Sequence, residues 1–171
     1  SGAMYIGPSR SYTRTNKIDD FLTEEGKRLA AKNDFDIKNI IVHASLLVNL
    51  ANTEKESVYN GSFDVCLQDL KRMQQVGLIY FNVHPGSNAS SMMWIGKLAN
   101  AINDLHKLTR GDDTVILLET MMTKGNYIGK NFEQLGEIIN LVKDKTRIGV
   151  CLDTCHTWDG GYDLKNDLKG V

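Results

Sequence analysis

Long apolar runs are missing from this chain. A helix that spans a bilayer needs about 20 consecutive predominantly apolar residues, so no membrane span and no membrane partner are expected. No secretory signal pattern stands at the front either. Cysteine is scarce: Cys66, Cys151 and Cys155 make an odd count of 3. They lack framework spacing, which excludes a disulfide scaffold and fits a reducing, cytoplasmic setting. Charge of one sign is missing as well, since 20 Lys+Arg stand against 21 Asp+Glu for a net charge of −1. That balance excludes a uniformly basic, histone-like nucleic-acid binder and leaves room for a local basic patch. No low-complexity linker divides the 171 residues, so the length is that of one domain or a piece of a larger one.

What the chain has is a series of short apolar runs that end in His, Asp or Glu. Residues 38–43, 78–84, 114–119 and 147–153 read as strands too apolar for either face to meet water. Residues 4–7 supply a strand ahead of them, while Ser1, Gly2 and Ala3 are set aside as a tag remnant, leaving 4–171 as a single partial domain. Helical spacing of apolar residues runs over 17–32, 62–76 and 92–108, with a further helix at 131–143. The first of these places Ile18, Phe21, Leu22 and Leu29 on one face, and Gly77 closes the second. A long loop is expected over 46–61 and a Ser/Asn-rich one over 87–91. Strand and helix alternate, which calls for a parallel sheet with helices outside it. A full eight-stranded barrel takes about 250 residues. The fold class is therefore α/β, an incomplete TIM-type (β/α) barrel of about five strands. An open, doubly wound parallel α/β sheet is the alternative.

Barrel active sites are built at the C-terminal ends of the strands. His43, His84, Glu119 and Asp153 stand at four such ends, and His156 follows on the loop after Asp153. One histidine ending an apolar strand is ordinarily a hydrogen-bonded structural group; four polar ends converging invert that reading. Imidazole and carboxylate are the ligands zinc takes when one position must stay open to water, and bound zinc brings the pKa of that water to about 7. A zinc-type hydrolytic centre is therefore expected, with Glu119 as catalytic candidate. His106, late in a helix, suits the helix dipole and receives no function. Cys151 reads as a small core residue, and Cys155 stays open between metal contact and none. Met92, Met93 and Trp94 read as packing at a helix start. The loop 8–14 carries Arg10, Tyr12 and Arg14 on the same end of the sheet, where arginine can meet phosphate.

Four motifs in order carry a family resemblance: Ile41-Val42-His43-Ala44, Val83-His84-Pro85-Gly86, Leu118-Glu119-Thr120 and Val150-Cys151-Leu152-Asp153-Thr154-Cys155-His156. Lys124-Gly125 and Gly160-Gly161-Tyr162-Asp163-Leu164 support them. From about Met4 to Asp167 the chain resembles the endonuclease IV family of apurinic/apyrimidinic endonucleases. The resemblance implies the second to sixth strands of a TIM barrel and a site for up to three zinc ions. It matches His43, His84 and Glu119 to the first zinc, Glu119 as the bridge to a second that Asp153 also ligates, and His156 to the third. The family's His-Ile-Asn-Asp-like, Asp-Arg-His and final Glu-Thr ligand stretches are absent, so the first set alone is complete. The implied partner is duplex DNA with abasic sites, cleaved 5′ to the lesion in base-excision repair. Arg10, Leu46 and Lys124 fall at DNA-contact positions; Leu46 stands where many members have an aromatic. Two other readings stand beside this one. One is a xylose-isomerase-like sugar isomerase or epimerase. The other is a non-catalytic metal-binding fragment that forms a homodimer through its open sheet edges.

Overall fold

The computed structural model describes residues 2–88 and 93–171. Strands β1 (Gly2–Met4), β2 (Ile40–His43), β3 (Tyr80–Val83), β4 (Val115–Glu119) and β5 (Ile148–Cys151) form one parallel sheet in the order β1-β2-β3-β4-β5. Sequential order without reversal is how a barrel wall grows, whereas a doubly wound sheet reverses its order at a switch point. The sheet is thus an arc of a (β/α) barrel, and the doubly wound alternative drops out. Helices α1 (Thr23–Lys32), α2 (Glu56–Val76), α3 (Trp94–Leu108) and α4 (Phe132–Leu141) link the strands, and α5 (Thr154–Asp159) follows β5. Among the described residues no helix is long and apolar enough to cross a membrane.

Register sorts the strand residues into two faces, because side chains alternate along a strand. Val42, Phe81, Ile116 and Ile148 lie side by side across the sheet, and the first three are fully buried. They join Leu70 and Met73 of α2, Leu98, Ile102 and Leu105 of α3, and Leu135 and Ile138 of α4 in the core. Burying one such side chain contributes roughly 1.5–3 kcal/mol. The opposite row is His43, Asn82, Leu117 and Gly149. It lines the concave side, where Tyr80, two residues before Asn82, remains 37% exposed.

Several boundaries differ from expectation for identifiable reasons. β1 begins at Gly2, so residues set aside as a tag remnant pair with Ile40 and Ile41; Ile6 instead enters the core. The helix expected over 17–32 splits into a 3-10 turn at Ile18–Asp20 and α1, and Leu22 and Leu29 are exposed, Leu22 lining an apolar trough of about 650 Å³ along the β1 edge. The expected loop 46–61 is shorter, because Asn52 Oδ1 accepts from the Glu54 and Lys55 amides and turns the chain into α2 at Glu56. Gly61 sits inside that helix with the Tyr12 ring 3.0 Å from where a Cβ would be. Gly77 closes α2 in the left-handed region at φ 87°, as the sequence predicts. Trp94 packs on the core while Met93 is exposed; Met92 and most of the Ser/Asn-rich loop, at 89–92, lie outside the described residues.

Candidate metal centre

Glu119 is the last residue of β4 and is 4% exposed, an expensive place for a carboxylate unless it is paired. Its partners come from neighbouring strand ends. Oε2 lies 3.4 Å from His43 Nε2 and 3.2 Å from His84 Nε2. Oε1 lies 3.2 Å from His156 Nδ1. Asn82 Nδ2 donates to Oε2 at 2.6 Å. Burial pushes the Glu119 carboxyl upward, yet His43, His84 and Asn82 outweigh it and hold the group well below the usual carboxylate range. Burial likewise works against a charged His43, but the hydrogen bonds to Glu119 and to the Ala44 carbonyl raise its pKa.

Two ligand groups meet on this carboxylate: His43, His84 and Glu119, and Glu119, Asp153 and His156, with the ligand atoms of each group within 4.8 Å of one another. The chemistry of the donors suits a cation. A carbonyl only accepts, so His43 Nδ1 donates to Ala44 O at 2.7 Å, and in the neutral ring the Nε2 lone pair faces Glu119. His156 Nδ1 donates to Thr120 O at 2.9 Å, which leaves its Nε2 lone pair unused by that bond. Such backing of a ring nitrogen is the arrangement seen behind metal-ligating histidines.

A second group of possible ligands, Glu119, Asp153 and His156, stands beside the set of His43, His84 and Glu119. The sequence reads His156 as a loop residue, but Asp153 caps α5 and accepts the His156 amide at 2.8 Å, so the helix begins at once and carries the imidazole back over Glu119. Thr120 secures that corner. Its hydroxyl accepts the Asp153 amide at 2.9 Å and lies 3.1 Å from Thr157 Oγ1. Neither Cys151 nor Cys155 belongs to a ligand group among the described residues. Cys151 is in register with Glu119 at the sheet edge and only half-buried, not in the core; Cys155 is exposed.

The loop 8–14 divides. Arg14 pairs with Asp69 of α2 through two hydrogen bonds of 2.6 Å, both side chains buried, and Tyr12 donates to Leu47 O at 2.7 Å. These two are structural, contrary to a phosphate-contacting loop. Arg10 is exposed, and the Leu46 amide donates to Ser9 O at 2.7 Å, which sets the exposed Leu46 beside it. Lys124, exposed in the β4–α4 loop, completes the predicted contacts on this rim. Sequence reasoning missed Asn82, Thr120 and Tyr5, whose ring centroid is 5.2 Å from that of His43. Asn82 alone left a signal: a polar residue within an apolar strand, two before His84 and so on its face.

The family model described as xylose isomerase-like TIM barrel matches residues 2–169. The chain belongs to that family. Within it, the chain is 36% identical over 170 residues to proteins named probable endonuclease 4 from Staphylococcus epidermidis and Staphylococcus aureus, covering 98% of this chain and 56% of each relative. It thus spans about half the length of the curated relatives it matches. Endonuclease IV from Thermus thermophilus superposes with a TM-score of 0.76 at 26% identity, over 98% of this chain and 58% of that one. D-psicose 3-epimerase from Clostridium cellulolyticum superposes with a TM-score of 0.66 over 82% of this chain and 50% of that one, and its 14% identity speaks for the fold alone.

Proposed function

We propose that this chain holds zinc with His43, His84, Glu119, Asp153 and His156, and that this centre belongs to a cytoplasmic endonuclease cleaving the phosphodiester 5′ to abasic sites in duplex DNA. The observation that carries the reading is the meeting of two ligand groups on one buried carboxylate at the C-terminal rim. Zinc bound there supplies Lewis acidity, which activates water at neutral pH and offsets charge developing on phosphoryl oxygens. The protein's own share is orientation. Glu119 offers Oε2 to one group and Oε1 to the other, the Ala44 and Thr120 carbonyls hold the His43 and His156 rings, and the α5 cap fixes Asp153. Arg10 and Lys124 meet backbone phosphates, and Leu46 offers an apolar wedge beside Arg10.

The relatives at 36% identity bear the endonuclease name, which supports a nuclease over a sugar isomerase. Incision of an abasic-site duplex by the purified chain, with and without chelator, tests the reading against ketose turnover. Chelator-sensitive turnover of a ketose without incision would overturn it. The outer edges of β1 and β5 have no neighbouring strand among the described residues, and Tyr5, Val150 and Leu152 are exposed there. Pairing of a second copy at these edges follows. Light scattering at micromolar concentration should give a dimer mass, and a monomer with a sharp melt would refute it.

A further inference from the structure

Asn82 occupies an unusual position. It lies in β3 between Phe81 and Val83, both fully buried, yet its side chain points to the concave side in register with His43. A carboxylate offers no proton here, so the amide must turn Nδ2 toward Glu119 Oε2, at 2.6 Å. That orientation leaves Asn82 Oδ1 buried with no hydrogen-bond partner among the described residues. An orphaned acceptor inside a protein lowers stability, and an apolar side chain of similar shape would serve folding better. The amide therefore does something at this site that packing does not ask for.

What it does follows from the division of labour on Glu119. One carboxylate belongs to both ligand groups, Oε2 facing His43 and His84 and Oε1 facing His156. A carboxylate turns easily about its last side-chain torsion, which is broad and roughly two-fold. Nothing in the two imidazoles fixes that angle, since the His43 and His84 nitrogens sit on the same oxygen. The short bond from Asn82 occupies one lone-pair direction of Oε2 and sets the carboxylate plane, leaving the other direction toward the two rings. We infer that Asn82 is a positioning residue of the metal centre: it locks Glu119 so that a single carboxylate serves two cations at once. This role rests on the metal reading proposed above and extends it to a residue outside the ligand groups.

Zinc titration of the purified chain against a chromophoric chelator tests the role without any activity assay. In parallel, cobalt(II) substitution provides a visible spectrum that reports the ligand field. Asn82→Leu, close in shape and free of the orphaned oxygen, should fold with a melting temperature equal to or above that of the metal-free parent. It should bind zinc about 10–100-fold more weakly and shift the cobalt spectrum, as loss of a group that orients a ligand does. Asn82→Ser, smaller and still polar, should show the same loss if the leucine variant fails to fold. Parental zinc affinity in either folded variant overturns the role, and so does failure of both to fold, which would make Asn82 a folding residue. If the parent chain itself takes up no zinc, the metal centre falls and the positioning role with it; if parent and variant bind alike, only the role of Asn82 falls.

Discussion

The two ends of β4 each bury a charge, and they handle it in opposite ways. Just before β5, at the N-terminal end of the sheet, Arg147 is 8% exposed, and all five of its guanidinium N–H groups are used. Nε donates to Thr114 O, Nη1 to His106 O and Thr109 O, and Nη2 to the hydroxyls of Thr109 and Thr114, at 2.7–3.2 Å. Every acceptor is a neutral oxygen. At the C-terminal end, Glu119 is likewise buried but faces imidazole nitrogens from three elements, and two ligand groups share it. A saturated charge fastens α3, β4 and β5 together. A buried carboxylate that gathers imidazoles from three elements offers the donor set of a cation site. The difference separates scaffold from site more reliably than burial does.

The largest effect expected concerns what the C-terminal end can do alone. His43, His84, Glu119, Asp153 and His156 are the ligands proposed for it, and the further ligand stretches that the family resemblance implies do not occur in this sequence. Losing metal-based stabilisation of several kcal/mol lowers a rate by orders of magnitude. The isolated chain should therefore incise abasic DNA far more slowly than a full-length relative in a side-by-side nicking assay. Robust, chelator-sensitive incision at the relative's rate would show that the present residues suffice.

Glu119→Gln comes next and bears directly on the two ends of β4. It keeps the shape but removes the charge that both groups share, so zinc affinity should fall by about two orders of magnitude or more, read by competition with a chelator. Cys155→Ser, exposed and outside both groups, should leave affinity unchanged. Equal metal content in the two variants would remove Glu119 from the centre. Arg147→Leu is the mirror experiment. It leaves buried carbonyl and hydroxyl oxygens of Thr109 and Thr114 without their donor, at a cost of about 3–5 kcal/mol, or roughly 10 °C in melting temperature for a chain of this length. Calorimetry of the metal-free protein checks it. A melting temperature within about 2 °C of the parent's would mean that Arg147 is not the fastener.

Sequence made one end of β4 far more legible than the other. The strands declare themselves because a sheet covered by helices asks for continuous apolar runs, and His43, His84 and Glu119 stand out as polar ends to them. The N-terminal end stays hidden, since Arg147 finds its oxygens 33 to 41 positions away and no local pattern announces a long-range nest. Arg14 and Asp69, 55 positions apart, escape notice for the same reason. Helix α5 is six residues long, too short for periodicity, so only the Asp153 cap could have revealed that His156 turns back toward Glu119.

The smallest effect tests the scaffold end by pH. His106 is 7% exposed in α3, and both of its ring nitrogens lack hydrogen-bond partners among the described residues. Its sequence position near the helix C-terminus suggests a group suited to the dipole. Burial first, and then the positive charge of Arg147, instead push its pKa below the ordinary histidine value of 6.5, against the smaller pull of Asp144. The folded protein thus binds this proton less readily than the unfolded chain does. Between the lowered folded value and about 6.5 the unfolded state carries more protons, so stability must rise with pH there and fall as pH drops below about 6.5. A single site gives a slope of at most about 1.4 kcal/mol per pH unit. His43, raised rather than lowered, contributes the opposite sign in the metal-free protein, so the absolute curve mixes the two. The difference between the parent and His106→Leu removes that mixture. Urea unfolding in chelator at a series of pH values should show the leucine variant gaining on the parent as pH falls from about 6.5 to 5. A difference that stays flat across that range would mean that His106 titrates alike in the folded and unfolded states and adds no proton-linked cost at the N-terminal end.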